Sequence, residues 1–419
     1  MREMKDSGFG WLGKVPANWK VERLQWHLYE INVKNSPIRT TNVLSLTNKR
    51  GVIPYEEKGA QGNISKENYN EYHLAYKDTI VANSMNILIG SVGYSDYYGC
   101  VSPVYYVFKE KENNDLHFFN YIMQTTQFQR ELRKYANGIL EIRLRVSSDD
   151  ILKRMIAVPE YSEQKKIAKY LDEQCKKIDE IMADIQNQID TLEDYKKSVI
   201  SEAVTRGLDP EAKKTKSRIF YMAPYNKEWH LTKIRYCCKK MCRAFEPEDT
   251  ALICTNKGKV SVRPEEMTGK MVSEDNAMQG IKKGDIAIHG MDTWHGSVAY
   301  SDYDGKITRV VHVCDSTEDK RFVVYYLQQL AFNGVYKLIS NGIRGNTSDF
   351  RSWDKIADIY IALPKVDVQH RISDYLDKKC ADIDSIIEDK KAQLETIENY
   401  KKSLIYEYVT GKKKVPENE

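Results

Sequence analysis

The chain has 419 residues, 41% of them apolar and 30% charged, with a formal net charge of +4. That is long enough for two or three domains and apolar enough for packed cores, which excludes a disordered chain. No run of about 18 apolar residues occurs, so no membrane-spanning helix is expected, and Met1–Lys14 is polar and lacks the apolar core of a secretory leader.

Residues 1–158 carry 21 basic and 17 acidic side chains. Gly8-Phe9-Gly10-Trp11-Leu12-Gly13-Lys14 has the spacing of a phosphate-binding loop. No strand precedes it, Val15 stands where magnesium binding needs Ser or Thr, and Pro16 follows at once, so that reading is rejected. Thr79–Ala82 and Val101–Phe108 read as strands, and Leu116–Tyr135 reads as a helix. Polar loops lie between them at Thr47–Gly51, Asn83–Asn86 and Asn137–Arg145.

From Pro159 to Thr205 the pattern changes to apolar residues every seven. One series is Leu171, Ile178, Ile185, Leu192, Val199; the other is Cys175, Met182, Ile189, Lys196, Ala203. Alternating steps of four and three form a coiled-coil seam. Pro159 precedes the helix, Ser162 is the expected N-cap, Glu163 suits the positive end of the dipole, and Gly207 falls where a left-handed C-terminal cap belongs. Such a helix is roughly 65 Å long at the α-helical rise. The segment 159–207 is acidic, with 8 basic and 11 acidic residues.

Residues 208–363 return to a basic balance, 24 against 20. Ile286–His289 and Thr308–Val313 read as strands and Arg321–Leu338 as a helix, with polar loops at Thr255–Lys259, His289–His295 and Asn341–Asn346. The tail, 364–419, carries 11 basic and 12 acidic residues. Its stretch Pro364–Thr410 aligns without a gap on Pro159–Thr205, with 22 of 47 positions identical. The seam recurs as Leu376, Ile383, Lys390, Ile397, Leu404 and Cys380, Ile387, Leu394, Lys401, Tyr408, with Asp367 as expected cap and Gly411 at the end.

A repeat at a fixed offset sets the architecture. The fold expected is α+β: two mixed α/β globular regions, 1–158 and 208–363, each followed by a long helix, 159–207 and 364–419. The two helices pair as an antiparallel coiled coil about a pseudo-two-fold. Lys196 and Lys401 inside the seam are the kind of polar residue that fixes register. The globular regions share a thinner framework, including Gly90-Ser91-Val92 with Gly296-Ser297-Val298, and Asn137-Gly138-Ile139 with Asn341-Gly342-Ile343. Their loops differ, as one scaffold aimed at two targets would.

No nucleophile elbow, zinc-protease helix or adenine-methyltransferase tetrapeptide is present. Eight cysteines without regular spacing read as reduced thiols of a cytoplasmic protein. Cys237, Cys238 and Cys242 lack the second pair a zinc site needs and read as structural thiols. Basic globular regions suit a polyanion. The Asn, Arg, Lys, Ser and Thr of the loops are the side chains that read base edges and grip phosphate, and they are equally ordinary turn residues.

The ordered set of Asp6-Ser7-Gly8 to Gly13, Pro16 to Trp19, Asp78/Asp285, Gly90-Ser91 and Gly296-Ser297, Asn137-Gly138 and Asn341-Gly342, and Pro159…Gln164 with Pro364…Gln369 resembles the DNA-specificity subunit of type I restriction-modification systems. One departure is Tyr161-Ser162-Glu163 and Val366-Asp367-Val368, where the family often has a Pro-Leu pair before Glu-Gln. The resemblance implies a non-catalytic subunit whose two target-recognition domains each read half of a split DNA sequence. The helices would space the halves and dock two modification (methyltransferase) subunits, and restriction/translocase subunits would join the complex. S-adenosylmethionine, ATP and Mg would sit on those partners, with no cofactor, metal or catalytic residue in this chain. Residues expected on the DNA face are Lys49, Arg50, Asn83, Asn86, Arg143 and Arg145 in the first half. In the second they are Lys257, Lys259, His289, Thr293, His295 and Arg344. Two other readings stay open: a coiled-coil adaptor whose basic domains hold another ligand, and a self-sufficient nuclease that cleaves with a metal.

Overall fold

An amphipathic helix that buries a stripe of every third and fourth residue needs an apolar face opposite. The computed structural model describes residues 2–47, 50–58, 68–137, 144–264, 277–340 and 350–416. The chain divides into two units, Met1–Ile185 with Ala392–Glu419, and Gln186–Lys391. Each holds one globular region, part of one long helix and part of the other. Among the described residues no helix is long and apolar enough to cross a membrane.

In the first unit a four-stranded antiparallel sheet runs in the order Leu28–Glu30, Tyr105–Glu110, Thr79–Asn83, Val92–Ser95. Ile80 lies opposite both Phe108 and Tyr94 in the ladder. Phe118, Phe119 and Ile122 of helix Leu116–Gln124 close the core over Ile80, Ala82 and Phe108. A hairpin, Leu44–Thr47 with Gly51–Pro54, packs on the sheet edge, so that a Cβ at Gly93 would meet the Gly51 Cα at 3.0 Å. The second unit repeats the plan. Its sheet order is Cys238–Lys240, Val311–Ser316, Ile286–His289, Val298–Tyr300, its helix is Lys320–Phe332, and its hairpin is Leu252–Cys254 with Val260–Val262.

Several expected elements divide where local chemistry intervenes. Leu116–Tyr135 breaks at Thr125, whose hydroxyl accepts from the Phe128 N–H and caps a second helix, Thr126–Arg133. Arg321–Leu338 breaks at Gly334, left-handed at φ +68°, before Val335–Ile339. Val101 ends one strand and Tyr105 begins the next. Thr308 and Val311 likewise belong to different strands.

The long helices span Tyr161–Arg206 and Val366–Val409. Ser162 and Asp367 lie inside the first turn rather than at the cap. The first carbonyls to accept helical bonds are those of Glu160 and Lys365, from Gln164 N–H and Gln369 N–H. Gly207 and Gly411 end the helices at φ +95° and +68°. A Cβ at Gly411 would stand 2.4 Å from Pro16 Cγ, so only glycine fits.

In the first unit Leu171, Cys175 and Ile178 share a core with Leu404, Ile405, Tyr408 and Val409. The Tyr170 and Tyr408 rings lie 4.7 Å apart, and Lys401 Nζ reaches Asp179 at 2.5 Å. In the second unit Ile200, Ala203 and Val204 meet Ile372, Leu376 and Cys380, Lys196 Nζ binds Asp384 at 2.7 Å, and Lys390 donates to Gln188. Within each unit the partner numbers run in opposite senses, so the paired helices are antiparallel. Of the expected seam, Leu171, Ile178, Ile185, Leu376, Ile383 and Leu404 are buried, and Leu192, Val199 and Ile397 are half-buried. Lys196 and Lys401 occupy matching repeat positions, and so do Asp384 and Asp179, the aspartates they bind.

Candidate nucleic-acid interface

Sequence reading of DNA needs polar or apolar side chains presented outward from loops that the scaffold holds still. In each unit three segments meet at one end of the sheet. The central one is Asn83–Ser91 in the first unit and His289–Ser297 in the second. Val146 N–H donates to the Ser84 carbonyl at 3.1 Å, and its counterpart Phe350 N–H donates to the Gly290 carbonyl at 3.0 Å. These bonds tie the segment after each domain helix to the central loop. The hairpin tips complete the cluster. A Cβ at Gly258 would meet Gln328 Nε2 at 2.3 Å and the Val298 carbonyl at 3.4 Å. Gln328 Nε2 donates to that carbonyl at 2.8 Å, as Gln124 Nε2 does to Val92 at 3.3 Å.

The expected residues fare differently. Arg50 is exposed at the first hairpin tip, where it pairs with Glu57 at 2.7 Å. Asn86 and Arg145 are exposed, and Arg145 exchanges backbone bonds with Asn137. Asn83 is buried, and its side-chain oxygen accepts from Met85 N–H, which is turn-forming work. Lys257 and Lys259 are exposed on the second hairpin tip. Lys391 first, and Lys257 more weakly, hold the Glu388 carboxylate below its usual range, which puts that tip beside the second long helix. His289 is half-buried, and its Nδ1 accepts from Met291 N–H. Thr293 is fully buried in the turn and presents nothing outward. His295 is exposed, its Nδ1 bonded to Asp292 at 2.5 Å. Lys49, Arg143 and Arg344 lie outside the described residues.

Burial lowers the His289 and His312 imidazoles below the ordinary histidine value, partly opposed by Asp292 at His289 and by the Phe350 carbonyl at His312. His312 is a structural part of the site that periodicity hid. Its Nε2 bonds the Phe350 carbonyl at 2.8 Å from the central strand. Only the structure shows that this strand residue reaches the loop cluster.

The repeated glutamines join each domain to its long helix. Gln164 Oε1 accepts from Asp115 N–H at 2.9 Å while its Nε2 donates to the Pro159 carbonyl; Gln369 does the same with Asp319 and Pro364. Asp115 and Asp319 cap the domain helices. Tyr121 and Tyr325 donate to the repeated Asp172 and Asp377. The basic residue beside that aspartate differs: His117, its pKa raised by its bond to Asp172, in one unit, and Arg321 in the other. All eight cysteines are free thiols, and all but Cys242 are buried. No cluster of three metal-ligating side chains exists among the described residues.

Residues 16–191 match the family model of the type I restriction modification DNA specificity domain. Over 94% of this chain and 98% of the other, the fold is similar to a chain from a structure on complex assembly and conformational transition of the type I R-M system, at 11% identity and TM-score 0.66. The HsdS subunit from Thermoanaerobacter tengcongensis is similar at 13% identity and TM-score 0.46, covering 95% of this chain and 98% of its own. The type I restriction-modification S subunit from M. genitalium is similar at 14% identity and TM-score 0.38, covering 93% and 96%. No curated protein sequence matches. The specificity-domain model thus falls on the first half of this chain, and the second half rebuilds the same framework, so the chain carries a region similar to the type I restriction modification DNA specificity domain.

Proposed function

We propose that each unit reads one half of a split, asymmetric DNA sequence through its loop cluster, and that the paired helices set the gap and dock two copies of a modification subunit. The observation that carries this reading is the duplicated framework with divergent loops: matching hydrogen bonds at Ser84/Gly290, Val92/Val298 and Gln164/Gln369 surround different exposed side chains. Arg50, Asn86 and Arg145 would line the first DNA face, and Lys257, Lys259 and His295 the second, with Lys49, Arg143 and Arg344 as further candidates. Half-sites about a helical turn apart present the same face of the duplex, so a helix pair of fixed length acts as a ruler.

Partner docking draws support from apolar residues the seam does not use. Ile181 and Tyr400 are 50% and 56% exposed in the first unit, and their repeats Ile386 and Tyr195 are 46% and 48% exposed in the second. By the antiparallel register, Ile and Tyr stand level on the two helices of each unit. Two like patches suit two copies of one partner. That partner would carry S-adenosylmethionine and methylate adenine, and a translocating nuclease subunit would complete the complex in the cytoplasm.

The test is to express the chain with its modification subunit in a methylation-free host and map N6-methyladenine. A single split motif, lost when this chain is omitted, is expected. No new methylation from a folded, associated pair sinks the reading and favours an adaptor with another ligand. The purified chain with Mg should leave DNA uncut; cleavage would favour the nuclease reading.

A further inference from the structure

Asn83–Ser91 and His289–Ser297 follow one backbone path. Asn83 N–H donates to the Ser91 carbonyl at 3.0 Å, and His289 N–H to Ser297 at 2.9 Å. Gly90 N–H closes on Ile87, and Gly296 N–H on Thr293, at 3.1 and 3.0 Å. Gly90 and Gly296 are both left-handed, at φ +89° and +86°. Ile87 and Thr293, inside the turn, are both fully buried. The residue before the glycine is turned out in both loops. Ile89 is 67% exposed, and the His295 side chain is 53% exposed. The scaffold therefore presents one outward side chain at the same place twice, and the two differ in kind.

Ile89 offers only apolar surface, and its neighbour Asn86 is exposed and polar. The one apolar group on the major-groove edge of B-DNA is the thymine methyl. His295 offers hydrogen bonding. Asp292 holds its Nδ1, and its Nε2 has no partner among the described residues. We propose that Ile89 and His295 are the matching specificity-determining residues of the two half-sites, Ile89 packing on a thymine methyl and His295 bonding a base edge through Nε2. This rests on the DNA reading proposed above. Exposed Arg145 beside the first loop, and Lys257 and Lys259 beside the second, supply phosphate contacts that position the tips without reading sequence.

The experiment maps adenine methylation for the wild-type complex, Ile89→Ala and His295→Ala, each checked for assembly and helical content. Both side chains are exposed, so neither truncation disturbs a core. Ile89→Ala is expected to relax one base position in one half-site, with discrimination there falling roughly tenfold to hundredfold, the size of one base-pair mismatch. His295→Ala is expected to do the same in the other half-site only. An unchanged motif in both variants overturns the proposal. So does an equal loss at every sequence, which is the mark of a phosphate contact, or a relaxation of both half-sites by one substitution. A wild-type complex that shows no split motif sinks the underlying DNA reading instead, before either variant is compared.

Discussion

Replacing Gln369 by alanine removes three hydrogen bonds from a side chain with no solvent exposure: from Asp319 N–H at 3.0 Å, to the Pro364 carbonyl at 2.9 Å and to Glu318 at 2.6 Å. Two backbone groups lose their partners, each at about 1–3 kcal/mol. A water entering the space recovers part of that. The expected loss is about 3 kcal/mol, or about 6–12 °C in the melting of a unit of roughly 200 residues. Gln164→Ala breaks two such bonds, to Asp115 and Pro159, without the carboxylate. It should cost about 1 kcal/mol less. Urea titration followed by circular dichroism measures both. Gln369→Leu keeps the volume and loses the bonds, so it should be as damaging as alanine. A loss below about 1 kcal/mol for Gln369→Ala would refute the argument, as would a leucine variant as stable as wild type.

Gly258→Ala forces a left-handed residue to carry a Cβ 2.3 Å from Gln328 Nε2. It should cost about 1–3 kcal/mol and weaken recognition of one half-site only, read by the same methylation mapping. Burial lowers the His312 pKa from 6.5, so the folded chain resists its protonation more than the unfolded chain does. The stability it contributes is complete above that value and is lost as pH falls below it toward the folded pKa. The urea midpoint of the second unit should fall with acidification, and less steeply in His312→Gln. His117 has the opposite sign: its pKa is raised by Asp172, so its contribution is full below 6.5 and lost as pH rises through the folded value. His117→Gln should therefore flatten the alkaline side of the first unit's profile. Ile181→Asp with Tyr400→Asp should abolish one of two docked modification subunits in native mass spectrometry; full loading would refute the docking patch. Lys196→Ala should cost no more than about 1 kcal/mol, less at high salt, because its pair with Asp384 is partly solvated.

The long helices were legible because a heptad repeats its message many times, and a second copy repeats it again. Small errors remained at their starts. A serine or aspartate near a helix start looks like a cap, yet the bonds begin at Glu160 and Lys365. The loops were legible as loops and poorly legible as surfaces. Asn83 and Thr293 have the right chemistry for a base contact, but the first is spent on the turn and the second is sealed inside it. Ile89 carries no polar signal in the sequence, and its exposure depends on a left-handed glycine one residue later. His312 lies mid-strand, and its bond to Phe350 spans 38 residues, beyond any local pattern. Sequence periodicity reports what faces a core, whereas recognition depends on what a turn pushes away from it.

The division of the chain has a consequence for its synthesis. The second unit is one unbroken stretch, Gln186–Lys391, inserted in the first, whose last piece is Ala392–Glu419. As the chain leaves the ribosome, the second unit has all its parts once Lys391 emerges. The first has its globular region early but waits more than two hundred residues for the helix carrying Leu404, Ile405 and Tyr408 to cover Leu171, Cys175 and Ile178. Contacts that distant in sequence form slowly and leave apolar surface bare in the interval. Although translated second, the inserted unit is therefore the one whose contacts are complete first, and the earlier unit is the one left with bare apolar surface in the interval.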